Sequence, residues 1–185
     1  MKPILGISLG IAVALSTATF AYVHQTSNAL GSVKAPELIG GPWLNTKDGK
    51  PVTLESRKGK PTLVAFWTFA CNNCQANMPP YARLLAKYRS QGVELIGIHT
   101  PEIEQERQLD QVKRHITKFN IDYPVLIDND YANWKRWKID CWPTVFVLDG
   151  NGKVQFSWKG ELNWNGGNGE AQVAAVLDRL LKTSQ

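Results

Sequence analysis

Two hydrophobic patterns alternate along this chain and predict its secondary structure. Continuous apolar runs rich in β-branched and aromatic residues are typical of strands that are buried on both faces. Such runs occupy residues 61–69, 93–98, 123–127 and 144–148, and a shorter strand signal lies at 51–54. The run at 144–148 is followed by the turn sequence DGNG and a second apolar run, 153–158, a pattern that predicts a β-hairpin.

Between the strands, apolar residues recur at helical spacing, and residues 129–137 fit a further short helix. The order β-β-α-β-α-β-α-β-β-α predicts an α/β fold with a central mixed sheet, to which the terminal hairpin adds antiparallel strands. The helical stripes consist of Tyr81, Leu84, Leu85 and Tyr88; of Leu109, Val112, Ile116 and Phe119; and of Val173, Ala174, Leu177, Leu180 and Leu181.

The N-terminus follows neither pattern. Lys2 precedes an almost unbroken apolar stretch from Ile4 to Val23. This arrangement predicts that residues 1–23 are a secretory signal peptide or, since the stretch is long enough, a membrane anchor. Either one places the remaining chain outside the cytoplasm, in the periplasm or at the outer face of the inner membrane. Residues 24–42 are rich in Gly, Ser, Pro and Asn and are predicted as a linker, so that the folded domain spans 43–185.

Composition narrows the class of protein. The chain has 185 residues, of which 43% are hydrophobic and 20% are charged, as in an ordinary globular domain, and this excludes disordered and collagen-like classes. The net charge of +5 comes from scattered Lys and Arg without a compact basic cluster, so we expect no nucleic-acid partner. Three cysteines are too few for a disulfide-stapled scaffold.

Two of the cysteines, Cys71 and Cys74, form a C-x-x-C motif where the strand at 61–69 runs into a helix. Unpaired N–H groups and the dipole at a helix N-terminus stabilise a thiolate, which lowers the pKa of Cys71 below its free value of about 8.5. Cys74 lies one turn later on the same face and can reach the Cys71 sulfur. The pair can therefore attack a substrate disulfide and then resolve the mixed disulfide.

A structural zinc site and a static disulfide are the alternatives for this motif. Zinc needs about four ligands, usually from two pairs, and only Cys141 and three isolated histidines remain. The strand-to-helix placement argues against a static disulfide. We therefore expect no metal, and no cofactor apart from the redox-active Cys71–Cys74 disulfide itself.

Two prolines support the redox interpretation. Pro79 follows the motif inside the helix, where it should produce a kink. Pro143 directly precedes the strand at 144–148, where a proline is tolerated if its peptide bond is cis.

With WTFACNNC at 67–74 and WPT at 142–144, the chain resembles the thioredoxin superfamily, and more narrowly the extracytoplasmic TlpA-type redoxins. The segments HTPE and DNDYANW resemble the thioredoxin-like domain of DipZ-type redox proteins.

This resemblance covers about residues 35–183. It implies a thioredoxin fold with an inserted α-β unit at about residues 103–127. It also implies that Pro143 is a cis-proline beside the dithiol, and that Trp142 offers backbone groups to an extended substrate. We place Trp67 near the same site. The implied partners are protein thiols and disulfides and a membrane electron donor or acceptor, with the N-terminus as an anchor if it is retained.

Three features depart from the thioredoxin pattern. The pair between the cysteines is Asn-Asn without the usual proline, so the redox potential cannot be carried over. Ala65 stands where thioredoxin has a buried aspartate. His99 and Glu102, at the carboxyl end of a neighbouring strand, are either a replacement base or surface residues. Cys141, two positions before Pro143, is either a third thiol facing the dithiol or an inert cysteine.

These features together predict a thiol–disulfide oxidoreductase that acts on protein disulfides outside the cytoplasm, for example in cytochrome c maturation or disulfide reduction. One alternative is a peroxiredoxin-like thiol peroxidase, because Thr68 stands three residues before Cys71, although Val64 replaces the proline of that signature. The other is a non-enzymatic copper-binding chaperone that uses Cys71, Cys74 and His99, since soft thiolates suit Cu(I).

Overall fold

A single mixed sheet forms the centre of the domain. The computed structural model describes residues 33–183. Within them the strands lie in the order β1-β4-β3-β2-β5-β6. The strands β2, β3 and β4 are parallel, whereas β1, β5 and β6 run antiparallel to their neighbours. The strand bounds are β1 Trp43–Leu44, β2 Thr62–Trp67, β3 Glu94–His99, β4 Val125–Ile127, β5 Thr144–Leu148 and β6 Val154–Lys159.

The central strand β2 shows how the sequence builds a core on each face of the sheet. Successive side chains of a strand point to opposite faces. Leu63, Ala65 and Trp67 pack in one hydrophobic cluster with side chains of α2, α3 and α5, while Val64 and Phe66 pack in a second cluster beside α4. Full burial of one large apolar side chain stabilises the fold by about 1.5–3 kcal/mol. The helices are α1 Asn72–Ala76, α2 Met78–Tyr88, α3 Leu109–Lys118, α4 Ala132–Arg136 and α5 Gly169–Thr183.

Most of the predicted elements are confirmed. Residues 61–69 are buried throughout, which explains why this run has no polar alternation. The inserted α-β unit at about 103–127 corresponds to a 3₁₀ turn at Glu104–Arg107, then α3 and β4. The predicted hairpin corresponds to β5 and β6, which pair antiparallel across the DGNG turn.

The strand predicted at 51–54 is wrong. These residues are outside the sheet and lead into a 3₁₀ turn at Glu55–Arg57. The first strand is Trp43–Leu44 instead, which pairs with β4. Leu54 is buried, but its backbone N–H donates to the Glu37 carboxylate at 2.7 Å. Since a side chain already satisfies this amide, Leu54 is buried without strand pairing.

The segment 33–42, which falls in the predicted linker, packs on the domain. Ala35 and Leu38 are buried in the second hydrophobic cluster. The Ala35 N–H donates to the Gly152 carbonyl at 2.8 Å, and the Val154 N–H donates to the Val33 carbonyl at 2.9 Å. The domain therefore begins earlier than residue 43. The rest of that linker and the predicted signal or anchor at 1–23 lie outside the described residues. Between residues 33 and 183, no helix has the length and apolar character needed to cross a membrane.

The buried carboxylate of Asp128 joins several elements near one end of the sheet. Asp128 is 1% exposed and follows β4. It accepts hydrogen bonds from the backbone N–H groups of Asn133 and Trp134, each at 2.9 Å, and from the Thr100 hydroxyl at 3.1 Å. The Asn133 side chain in turn bonds both backbone groups of Ile39, at 3.0 and 2.7 Å. One carboxylate thus couples α4, the end of β3 and the N-terminal segment.

Replacing Asp128 with Ala should destabilise the fold by about 3 kcal/mol or more, because several buried donors lose their acceptor at about 1–3 kcal/mol each. The exposed neighbour Asp130, which accepts one 3.3 Å bond from the Ala132 N–H, is a matched control. Asp130→Ala should cost less than about 1 kcal/mol. The free energy of unfolding from urea denaturation measures both effects, and equal losses for the two variants would contradict the role assigned to Asp128.

Candidate active site

The two cysteines of the motif lie where β2 turns into α1. Cys71 is the N-cap of α1 and is half-buried, while Cys74 inside the helix is fully buried. The backbone N–H of Cys74 donates to the Cys71 sulfur at 3.3 Å. The Gln75 amide further ties the turn to the Phe69 carbonyl at 2.8 Å. Both cysteines are free thiols.

Local contacts make Cys71 an acidic thiol. The thiol of Cys74, donating to the Cys71 sulfur, is the largest cause that lowers the pKa of Cys71, to about 7. Partial burial opposes this effect, and the backbone N–H groups of Cys74 and Asn73 add to it. A substantial fraction of Cys71 is therefore thiolate near neutral pH, the nucleophilic form.

Cys74 has the opposite character. Burial raises its pKa far above the ordinary value, and its hydrogen bond to Cys71 and the charge of that sulfur raise it further. A backbone hydrogen bond from Thr68 acts in the other direction but does not outweigh them. The two thiols, three residues apart, therefore divide into an acidic, accessible sulfur and a protonated, buried one.

The helix after the motif is interrupted, as the position of Pro79 predicts. α1 ends at Ala76 and α2 begins at Met78, with Pro79 in the first turn of α2. Proline has no N–H to continue the helical hydrogen bonds and its ring crowds the preceding turn. Asn77, at the break, is buried.

Asn77 connects the motif to the loop after β6 and, through it, to Pro143. Its side-chain oxygen accepts from the Leu162 N–H at 2.8 Å, and its amide nitrogen donates to the Gly160 carbonyl at 3.2 Å. The Gly160 N–H donates to the Pro143 carbonyl at 2.8 Å. These bonds hold three segments that are far apart in sequence against one another.

The Trp142–Pro143 peptide bond is cis. Pro143 is buried, and the half-buried Trp142 ring packs on Trp134 with ring centroids 4.0 Å apart. The third cysteine, Cys141, is half-buried; its sulfur lies 3.7 Å from the Thr144 hydroxyl oxygen.

The two candidate bases differ sharply in environment. His99 is fully buried, stacked on Phe69 and edge-on to Trp67, and its Nε2 lies 3.5 Å from the Thr68 hydroxyl. Burial lowers the pKa of His99 to about 4, so the ring is neutral at physiological pH. Glu102 is exposed. Trp67 is fully buried in the core and so does not line the surface of the site.

The copper alternative needs Cys71, Cys74 and His99 in one ligand set. Within residues 33–183, no three side chains of His, Cys, Asp or Glu are grouped so as to hold a metal ion. The His99 ring is instead enclosed by aromatic side chains.

A carboxylate that the sequence reasoning missed lies beside the motif. Glu106 is fully buried and accepts the N–H of Ala70, the residue before Cys71, at 2.7 Å. Its other oxygen accepts the N–H groups of Glu102 and Ile103 at 2.6 and 3.1 Å. Burial raises the pKa of Glu106, but these bonds and one from the Thr68 hydroxyl outweigh burial and lower it. The three glutamates at 102, 104 and 106 are alike in sequence, and Ile103 lacks the hydroxyl of a capping-box residue, so no local pattern singles out Glu106.

The chain is similar in sequence to a known protein family and to several characterised proteins. A family model with the description AhpC/TSA family matches residues 33–157. The chain belongs to the AhpC/TSA family. It is 36% identical to Protein DipZ of Mycobacterium tuberculosis over 132 residues, which are 71% of this chain and 19% of that protein. It is 32% identical to the thiol-disulfide oxidoreductase ResA of Bacillus cereus over 114 residues, which are 62% of this chain and 63% of that protein.

A solved structure of a similar protein supports the predicted fold. A thiol:disulfide interchange protein of the thioredoxin family from Chlorobium tepidum TLS is 26% identical, covers 80% of this chain and 95% of its own, and gives a TM-score of 0.60. The predicted thioredoxin fold is thus confirmed for this AhpC/TSA family member. The chain spans about a fifth of the length of the DipZ proteins that it matches.

Alkylation by iodoacetamide should reveal the acidic thiol of this family member. In a Cys141→Ser background, the alkylation rate should increase with pH and reach half of its maximum near pH 7, because only the Cys71 thiolate is both reactive and accessible. Adding Cys74→Ala removes the main hydrogen-bond donor, so the midpoint should move upward by about one pH unit or more. A midpoint at or above that of a free cysteine without the second change would contradict the proposed environment.

Proposed function

We propose that this chain is a thiol–disulfide oxidoreductase that acts on protein disulfides outside the cytoplasm, with Cys71 as nucleophile and Cys74 as resolving thiol. The observation that carries the proposal is the hydrogen bond from the backbone N–H of Cys74 to the sulfur of Cys71, the half-buried N-cap of α1. It stabilises the thiolate at the more accessible position and holds the second sulfur within reach of the first. The relatives named as thiol-disulfide oxidoreductase and thiol:disulfide interchange protein support the reaction class.

The reaction follows from this arrangement. The Cys71 thiolate attacks one sulfur of a substrate disulfide, forms a mixed disulfide and releases the other substrate sulfur as a thiolate. Cys74 then gives its proton to a departing sulfur and attacks Cys71, which releases the second substrate thiol and leaves the Cys71–Cys74 disulfide. Two electrons pass to the substrate, and the reverse sequence oxidises a substrate dithiol. No cofactor beyond the dithiol is required.

The surroundings of the motif suit a polypeptide substrate. We propose that Trp142 and Pro143 lie beside it and pair with an extended substrate segment through backbone groups. On another side, a cavity of about 370 Å³ runs from Asn73, inside the motif, to Trp164. The Trp164 side chain is 69% exposed. A large exposed aromatic ring is typical of protein-contact surfaces.

The contacts of Thr68 favour this dithiol reaction over the peroxidase alternative. That alternative would use the Thr68 hydroxyl beside Cys71. The hydroxyl instead lies 3.5 Å from His99 Nε2 and bonds the Glu106 carboxylate, and its residue is fully buried.

The apolar leader supports the proposed location, because a basic residue followed by an apolar stretch directs export. A reductase outside the cytoplasm needs electrons from a membrane donor, and an oxidase needs an acceptor. We propose such a membrane protein as the redox partner, with cytochrome c maturation or general disulfide reduction as the process served.

Reduction of insulin disulfides by dithiothreitol, followed by turbidity, tests the activity. Cys71→Ser should abolish the acceleration because the nucleophile is gone. Cys74→Ser should instead accumulate a mixed disulfide with the substrate, visible by mass spectrometry, because the resolving step is blocked. Cys141→Ser is the matched control and should keep at least about half of the wild-type rate. Full activity in Cys71→Ser would refute the assignment.

A further inference from the structure

Trp164 is a large apolar side chain that the fold leaves on the surface. It is 69% exposed, more than any other large hydrophobic side chain within residues 33–183. It begins a 3₁₀ turn, Trp164–Gly166, in the glycine-rich loop between β6 and α5. Because covering apolar surface is favourable, a partner that packs on this ring gains contact area that the domain itself does not use.

Hydrogen bonds hold the base of this loop in a fixed place. The Leu162 N–H donates to the Asn77 side-chain oxygen at 2.8 Å, and the Leu162 side chain is fully buried. The Gly169 N–H donates to the Leu162 carbonyl at 2.7 Å, and the Trp158 indole N–H donates to the Glu161 carbonyl at 3.0 Å. The exposed indole, two residues after Leu162, is therefore carried by an anchored segment.

The exposed ring borders a cavity that reaches the redox motif. The cavity has a volume of about 370 Å³, and its lining includes Asn73, which lies between the two cysteines and is exposed. Gly160 also lines it, and the Gly160 N–H donates to the Pro143 carbonyl at 2.8 Å. Since a substrate disulfide reacts at Cys71, two residues before Asn73, the cavity continues the surface on which the mixed disulfide forms.

The charges at this cavity leave one carboxylate without a partner. Lys159 and Glu161 both line the cavity. The Lys159 ammonium is paired with the Asp140 carboxylate at 2.6 Å. Glu161 takes part in none of the ion pairs found within residues 33–183. The charge available to a ligand is therefore negative, and it lies at the same cavity as an exposed indole. A cation on an apolar stem suits both groups.

We propose that this cavity is a docking site for a basic segment of the polypeptide substrate, with Trp164 and Glu161 as specificity-determining residues. The inference rests on the proposed function, since the cavity receives the chain that flanks the substrate cysteine. An Arg or Lys near that cysteine packs its stem on the indole and directs its charge to the carboxylate. These contacts lie outside the reacting atoms, and they position the substrate disulfide for attack by Cys71.

Peptides whose single cysteine carries a thionitrobenzoate group test this preference. The Cys71 thiolate attacks the peptide sulfur, a Cys71–peptide disulfide forms, the peptide–thionitrobenzoate disulfide breaks, and the coloured thionitrobenzoate leaves with the electron pair. Later attack by Cys74 releases no colour, so stopped-flow absorbance reports the first step alone. The protein carries Cys141→Ser, and the peptide cysteine is flanked on each side by a pair of Arg, Gln or Glu residues.

The arginine peptide should react about fivefold faster than the glutamine peptide at low salt, and the glutamate peptide more slowly than both. Trp164→Ala and Glu161→Gln should each reduce the preference for the arginine peptide to about twofold. Trp164→Phe keeps an aromatic ring and should retain at least about half of the preference. Added salt should weaken the preference in the unchanged site and have little effect on it in Glu161→Gln.

Ile103→Ala and Glu104→Gln are matched controls. They remove an exposed apolar side chain and an exposed carboxylate that do not line the cavity. The preference for the arginine peptide should stay within about twofold of its original value in both variants. An equal loss in these variants would assign the preference to the general surface of the protein and would overturn the proposal.

The small neutral disulfide 4,4′-dithiodipyridine separates this inference from the proposed function. Because it carries no polypeptide, its reaction with Cys71 should change by less than about twofold in Trp164→Ala and Glu161→Gln. Absence of this reaction at Cys71 would overturn the proposed function and the docking site together. A normal reaction, combined with equal rates for the three peptides or with a preference that Trp164→Ala leaves unchanged, would overturn the docking site alone.

Discussion

The contact on which this site depends is the one between the two cysteines, in which Cys74 donates its backbone N–H to the Cys71 sulfur and its thiol lowers the pKa of that sulfur. It requires that Cys71 be the N-cap of a helix, since only there do the amides of the following turn point at its side chain. It also requires that Cys74 be buried, because an exposed thiol would exchange this bond for water. The fully buried strand β2 fixes the point at its carboxyl end where the chain turns into α1.

The part of the site around Pro143 is held in place by hydrogen bonds between residues that are far apart in sequence. Asn77 reaches the loop after β6, and Gly160 of that loop reaches Pro143. A buried amide such as Asn77 is costly to leave unsatisfied, so its bonds to Gly160 and Leu162 specify one placement of the loop. The interruption of the helix near Pro79 allows these bonds. Asn77 lies between α1 and α2, so its side chain can reach the loop after β6 and does not run along a helix.

Sequence patterns correctly predicted the elements that are determined by residues close together in the chain. The buried strands, the hairpin, the motif at a helix N-terminus and the helix interruption at Pro79 each follow from residue types at fixed spacing. The strand predicted at 51–54 was wrong because apolar content alone does not show where backbone groups bond, and here a carboxylate, Glu37, bonds the Leu54 amide. The segment 33–42 looked like a linker because its contacts with Gly152 and Asn133 join residues about a hundred positions apart, which no local pattern contains.

The same difference between local and long-range contacts explains why the sequence indicates Glu102 as a candidate base and does not indicate Glu106. Glu102 lies three residues after His99 at the carboxyl end of a strand, a position that suggests a base, yet it is exposed. Glu106 is buried because the 3₁₀ turn at Glu104–Arg107 folds it back onto three amides of the chain. An unpaired buried carboxylate would be protonated, so these donors are what keep it charged. The fold thus makes two chemically identical thiols unequal: one sulfur lies at a helix N-terminus and accepts a backbone N–H, whereas the other is fully buried.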